Sequence, residues 1–403
     1  MRISSNYLRA IPEFFVVGIC TFVFVLSTVG ILVSVLGSHS AGNCDFVEYW
    51  ASGHLLIHHS NPYAADAILE LERSAGFPQD LPVLIMWNPP SALLAVLPLG
   101  YFNSTVGHWM WLMLLLGSLV TSVRMVWIIH DRPRGWLNVL GYTFGPAFAC
   151  FLPGQTSLFL LLGLALFLFL YRSRPFLAGA SLWLCMLKPH LFLPFGLVLI
   201  IWAIRTRKYR VLAGAVSALV VSASVVQLLD PLVWPHYLQM ARNVHLGDSN
   251  IPCLSLTLRS LVRPHTIWIQ YAPAVLGCLW AVDYFRRHRN IWDWMEHGSP
   301  LVLVSVLVAP YTWYVDQAVL IPALLHAAYL TRSRYLLALL PLISAILEIG
   351  NLIGKGPLHS FHFLWTAPAW LIWYLCAVSK RAPEKRCDPI TVDDSVAAGA
   401  LVN

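Results

Sequence analysis

The chain has 403 residues, of which 58% are hydrophobic and 11% charged, and its mean hydropathy is +0.68. Soluble domains carry roughly 25% charge, so the polar groups are too few to cover this chain in water, and lipid is the expected solvent for much of it. The net charge of +7 falls in short clusters between apolar runs, which excludes a basic face that tracks nucleic acid and fits the bias that keeps lysine and arginine on the cytoplasmic side of a membrane.

In chain order, about thirteen apolar segments stand out, many near the ~20 residues that cross a hydrocarbon core. They cover 11–36, 83–101, 105–129, 136–152, 155–171, 175–188, 190–204, 209–229, 266–285, 299–311, 313–331, 335–350 and 359–378. The expected fold is an all-α polytopic membrane protein, a bundle of about 11–13 transmembrane segments with helices in its outer loops. Arg2 and Arg9 precede the first run, which is too long for a signal-peptide core and has no small-residue cleavage site after it; it reads as a retained helix. Arg205/Arg207/Lys208/Arg210, Arg286/Arg287/Arg289, Arg332/Arg334 and Lys380/Arg381/Lys385/Arg386 mark the cytoplasmic side. With both termini inside, the number of crossings is even, so one segment does not span. The weakest is 83–101, where Pro89, Pro90 and Pro98 remove backbone donors, and a re-entrant piece buried in protein is expected there.

This assignment puts 37–82, 230–265 and 350–360 outside, together with the Lys188-Pro189-His190 turn and the Tyr311–Trp313 junction. Residues 1–380 then form one membrane-embedded domain, with a first outer loop at 37–82 and a second at 230–265, and 381–403 are a polar, disordered cytoplasmic tail. The cysteines are scattered singly, most as small apolar residues within the runs; Cys44 and Cys253 both fall in outer loops, where a bridge is one option.

The polar residues that interrupt this pattern are the candidates for chemistry. Asp45 follows the first run, and Glu48 and Tyr49 at i+3 and i+4 share its helical face; a carboxylate at a water–lipid boundary serves as a base, or more plainly as a helix N-cap. The Asn61-Pro62 pair is expected to end that helix. Met86-Trp87-Asn88-Pro89-Pro90 shapes a groove or simply starts a helix. Gln155 at the head of an apolar run is a sugar contact or an interhelical hydrogen bond. Lys188, between two apolar segments with His190 beside it, snorkels, pairs or binds an anion. Asp316 opens another apolar helix near the outer surface, where a carboxylate is a functional candidate. His236, His245 and Asp248 in the second outer loop lack the spacing of a zinc site.

Four stretches in order, DFVEYWASGHLLIHHSNPY, MWNPPSALLAVLPLG, PGQTSLFLLLGLALFLFLYRSRPFLAGASLWLCMLKPHLFLPF and TWYVDQAVLIPALL, resemble glycosyltransferase family 87 over residues from about 43 to 330. The resemblance implies a GT-C-like fold and a hexosyltransferase, in particular a mannosyltransferase, that takes its sugar from a polyprenyl phosphate. It implies that Asp45 is the base and that Gln155, Lys188 and Asp316 line one outer-facing cavity. Where the family pattern carries a histidine upstream of the last aspartate, this chain has Tyr311 and Trp313, and Trp87-Asn88 precede the proline pair in place of an adjacent tyrosine.

The resulting expectation is catalysis by Asp45 and Glu48, with Tyr49, Trp50, Trp87, Asn88, Gln155, Lys188, His190, Trp313 and Asp316 binding substrate. Lys188 takes the phosphate with His190 as helper, and the aromatics stack on sugar or prenyl faces. Direct displacement inverts the anomeric centre. No metal and no cofactor are expected, because a lysine can offset the charge on the leaving phosphate. The partners are the lipid-linked donor, a glycolipid or glycan acceptor and membrane lipids, without nucleic acid, in the bacterial inner membrane with the site facing the periplasm. The alternative is a multi-spanning secondary transporter or lipid flippase, which also holds carboxylates inside the membrane but commonly carries paired internal repeats, and none stand in this sequence.

Overall fold

A computed structural model describes residues 45–133, 135–243, 251, 253–353 and 363–379, with isolated residues between 15 and 29. The described residues form helices and turns with no strands. The expected first span (11–36) lies mostly outside the described residues, and Cys44, His245, Asp248, the 354–360 loop and the tail lie wholly outside them.

The first outer loop folds as two helices, α1 (Phe46–Ile57) and α2 (Ala65–Ser74). Helix α1 ends before the Asn61-Pro62 pair. His59 turns left-handed (φ 55), and the Asn61 side chain accepts the Tyr63 N–H at 2.9 Å in a local turn. Prolines then forbid a regular helix across 83–101. The chain steps through a 3-10 turn at Pro90–Ala92, one α-turn at Leu93–Val96 and a second 3-10 turn at Leu97–Tyr101. This staircase packs on α1 at the closest backbone approach of the region. A Cβ on Gly53 would lie 2.4 Å from Val96 O, and one on Gly100 would lie 2.4 Å from Gly53 O. The Trp50 indole N–H donates to Phe102 O at 2.9 Å across the same seam.

Asn103 caps α3 (Ser104–Ile129) by accepting the Val106 N–H at 2.9 Å. Helix α3 lies along α4 (Ser157–Leu170), and the Trp111 indole N–H donates to Gly154 O at 2.6 Å. Helix α5 (Pro175–Ser181) crosses α7 (Tyr209–Leu229) backbone to backbone, with α6 (Leu193–Arg205) between them in sequence. A Cβ on Gly179 would fall 1.8 Å from Val211 O, and one on Gly214 1.9 Å from Phe176 O, so only glycine allows this crossing. The chain continues through α8 (Val233–Asn243), α9 (Leu254–Val262), α10 (Trp268–His288), α11 (Gly298–Leu307), α12 (Ile321–Leu330), α13 (Arg334–Ile353) and α14 (Thr366–Ser379).

Among the described residues, two helices are long and apolar enough to cross a membrane by length and composition, Ser104–Ile129 and Tyr209–Leu229. Several other apolar segments are shorter, and prolines stand at their breaks: Pro175, Pro189, Pro194, Pro310 and Pro322. The apolar surface is not confined to the core. On α3, Val106, Trp109, Met113, Leu116 and Val120 recur at i, i+3, i+7 spacing and are all exposed, and Val216, Val220 and Val221 are exposed on α7.

Candidate functional site

The site forms where the start of α1, the start of α4, the turn after α5 and the entry to α12 meet. Asp45 is the residue before α1, and its side chain does not cap the helix. Its Oδ2 accepts from Gln155 Nε2 at 2.5 Å instead. The two strands of chain that carry this pair are fastened together by the Phe46 N–H, which donates to Pro153 O at 2.9 Å. Gly154 takes a left-handed φ of +76°, and a Cβ there would stand 2.9 Å from the Phe46 side chain. Glycine at 154 thus both makes the turn and lets α1 approach.

Gln155 Oε1 accepts two bonds, from Lys188 Nζ at 3.0 Å and from the Tyr49 phenol at 3.3 Å. Lys188 Nζ also donates to Asp316 Oδ1 at 2.7 Å. That oxygen accepts a second bond from the Ser157 hydroxyl at 2.6 Å, and Asp316 Oδ2 accepts the Trp313 backbone N–H at 2.9 Å. Asp316 is fully buried, and Lys188 and Gln155 are 8% and 9% exposed. A buried charge is tolerated when it is paired and hydrogen-bonded, and this pair meets both conditions. The result is a continuous polar line, Asp45–Gln155–Lys188–Asp316–Ser157, drawn from four separate parts of the sequence.

Lys188 occupies a bend (φ −134°, ψ 73°) between 3-10 turns at Leu184–Leu187 and Pro189–Phe192. Asn88 holds that bend from outside, with its Nδ2 donating to Leu187 O at 2.6 Å, while the Tyr63 phenol donates to Asn88 O at 3.0 Å. His190 stacks on Tyr311 with ring centroids 3.8 Å apart, and its buried Nε2 has no hydrogen-bond partner among the described residues.

Burial, and next the adjacent Asp45 carboxylate, push the Glu48 carboxyl well above the ordinary carboxylate range. Glu48 is thereby biased toward its protonated form beside Asp45, which favours a donor and acceptor division of the two carboxyls. Burial, followed by the Glu48 carboxyl, raises the Tyr49 phenol as well, so it remains an O–H donor to Gln155.

The structure brings together Asp45, Tyr49, Gln155, Lys188 and Asp316, with Glu48 beside Asp45. Asn88 reaches the centre through its side-chain amide on Leu187 O, and Trp313 through its own backbone N–H on Asp316 Oδ2. Trp50 points to the α1–staircase seam and Trp87 packs, half-buried, against the main core. Sequence reasoning passed over Ser157 and Tyr63; the signal for the first was a hydroxyl two residues after Gln155, at the head of an apolar helix. Among the described residues, no group of three or more histidines, cysteines and carboxylates has the arrangement to hold a metal ion.

No curated protein and no solved structure matches the chain. The sequence pattern of glycosyltransferase family 87 matches residues 87–347, more than half the chain, and takes in Asn88, Gln155, Ser157, Lys188 and Asp316; Asp45 and Glu48 lie before it, and Asp45 joins the site through Gln155. The chain belongs to glycosyltransferase family 87, and is thereby a glycosyltransferase with a sugar donor and an acceptor to hold.

Proposed function

We propose that the protein is a polytopic membrane glycosyltransferase that moves a hexose, mannose by the family resemblance, from a polyprenyl-phosphate sugar to a glycolipid or glycan acceptor on the outer face of the membrane. Residues 1–380 act as one membrane-embedded domain. The observation that carries the reading is the polar line from Asp45 to Asp316, which sets a carboxylate base and a buried ammonium on either side of one amide.

The membrane setting is supported by the exposed apolar stripe on α3, which water would penalise and acyl chains would not. Continuous helical spans are not needed throughout, because broken helices are tolerated at membrane depth where protein covers them. The basic clusters between the apolar runs assign the sides.

The chemistry follows from the donor count of each group. An ammonium has three N–H donors; Lys188 uses two on Gln155 and Asp316 and directs its third to the phosphate of the donor lipid. Asp316 holds Lys188 in place and leaves the net charge of the pair near zero, so a lipid phosphate is held without being trapped. Asp45 takes the proton of the acceptor hydroxyl as that oxygen attacks the anomeric carbon. The bond from that carbon to the phosphate oxygen breaks, and the phosphate leaves as the polyprenyl phosphate anion. A single displacement inverts the anomeric centre. Glu48, protonated, donates to the sugar or to Asp45, and His190 Nε2, in its N–H form, is a second donor to the phosphate.

The test is transfer by the purified protein in nanodiscs, offered a panel of polyprenyl-phosphate sugars with membrane glycolipid extract. Consumption of one donor with appearance of a glycosylated lipid of inverted configuration is the expected result. If no donor is consumed and none binds, the lipid-phosphate reading fails.

A further inference from the structure

An amide side chain offers two acceptor positions on oxygen and two donor hydrogens on nitrogen. In Gln155 both acceptor positions are filled, by Lys188 Nζ at 3.0 Å and the Tyr49 phenol at 3.3 Å. The ammonium of Lys188 has no lone pair to offer, so turning the amide over would set its NH₂ against an ammonium. Lys188 therefore fixes which end of Gln155 faces which neighbour, and the NH₂ end meets Asp45 Oδ2 at 2.5 Å. A hydrogen bond donated to a carboxylate favours its charged form.

We infer that Gln155 is a positioning residue that couples the two ends of the site: Lys188 orients the amide, and the amide holds Asp45 as an oriented, ionised base. On this reading the phosphate-binding lysine and the base form one unit, and occupation of Lys188 by the donor phosphate is sensed at Asp45, 110 residues away from Gln155 in sequence. The inference rests on the assignment of Asp45 as the base. The charged and titratable groups that face Asp45 among the described residues are Glu48 and Tyr49 from its own helix, Lys188 and then Asp316 beyond Gln155, and Glu72 of α2 acting through Glu48. Gln155, which does not titrate, makes a direct contact to Oδ2.

The experiment follows the Asp45 carboxyl itself. Infrared spectra recorded across pH, wild type minus Asp45→Asn, isolate its band without any need for turnover. In Gln155→Leu the band is expected to titrate about one pH unit higher, because the donor to the charged form is gone. The acid limb of kcat moves with it, so that kcat on that limb falls about ten-fold, and KM for the donor changes less than about three-fold. Lys188→Met alone shifts the band in the same direction, but adds less in the Gln155→Leu background than in wild type, the non-additivity of groups acting through one another. Should Gln155→Leu fail to fold, Gln155→Glu keeps the shape and sets a like charge beside Asp45, and its band is again expected at higher pH.

A band that stays where it is in the folded 155 variants overturns the inference, as does additive behaviour of the Gln155 and Lys188 substitutions. A raised KM with unchanged kcat and an unmoved band makes Gln155 a sugar contact instead. A band that shifts in the 155 variants of a protein whose wild type transfers no sugar leaves the coupling standing and removes the base assignment, so the two failures are told apart.

Discussion

At the scale of single residues, buried charges cost most to disturb. Lys188 and Asp316 are a buried pair, and removing one partner leaves the other charge uncompensated. Lys188→Met is expected to destabilise the protein by about 3–5 kcal/mol, measured as loss of stability in detergent, and Asp316→Asn in the same background should restore part of it. Glu72 is a second case. Burial raises its carboxyl from 4.5 to about 7 although the Leu84 N–H bonds both its oxygens, at 3.2 and 3.3 Å. A carboxyl whose pKa is raised on folding binds its proton more tightly in the folded state, so the stability it contributes is present below the unfolded value and lost as pH rises toward the folded one. The stability of wild type relative to Glu72→Gln is therefore expected to fall between pH 4.5 and about 7 and to level off above. A melting-temperature difference that is flat across this window removes that reading. Asp45, Gln155, Lys188 and Asp316 were readable in the sequence because each interrupts an apolar run at a cost that needs a reason. Their connections were not readable. Nothing in a one-dimensional pattern says that Gln155 stands between Asp45 and Lys188, or that Trp50, two aromatic positions along from Asp45, turns its indole to Phe102 O instead.

At the scale of elements, the glycine pairs matter most. Gly179 and Gly214 let α5 and α7 cross with backbones in contact, and the computed positions of added Cβ atoms, 1.8 and 1.9 Å from carbonyl oxygens, leave no room for a methyl group. Gly179→Ala is expected to force the helices apart and lower stability by about 1–3 kcal/mol, while Gly117→Ala on α3, where an added Cβ meets nothing within 4 Å, is expected to be neutral or stabilising as the helix propensity of alanine dictates. Equal melting temperatures for the two variants would contradict the crossing. The sequence announced that prolines break 83–101, and the structure agrees by building it from 3-10 and α turns. The lengths of the other apolar segments were less legible. Helix α4, SLFLLLGLALFLFL, is apolar on every side, so periodicity marks neither a core face nor an end, and only the prolines downstream of it signal where the helices stop.

At the scale of the whole molecule, the distribution of charge and of exposed apolar side chains carries the account. On the proposed topology Arg207 is cytoplasmic and Asp66 exterior. Single cysteines introduced at these positions in a cysteine-free background are expected to react with an impermeant maleimide from opposite sides of sealed vesicles, and labelling of both from one side would overturn the topology. Gln155, Lys188 and Asp316, which the family resemblance sets in one cavity, are linked by hydrogen bonds in the folded chain, and Asp45 joins them through Gln155. What remains to be measured is whether this line does chemistry on a lipid-linked sugar. The most direct measurement compares wild type and Asp45→Asn side by side in nanodiscs, reading transfer from a polyprenyl-phosphate hexose and, separately, binding of that donor. The account predicts that Asp45→Asn binds donor about as well as wild type and loses transfer by about 10²–10⁴-fold, the range for loss of a general base; transfer by Asp45→Asn at the wild-type rate would contradict it.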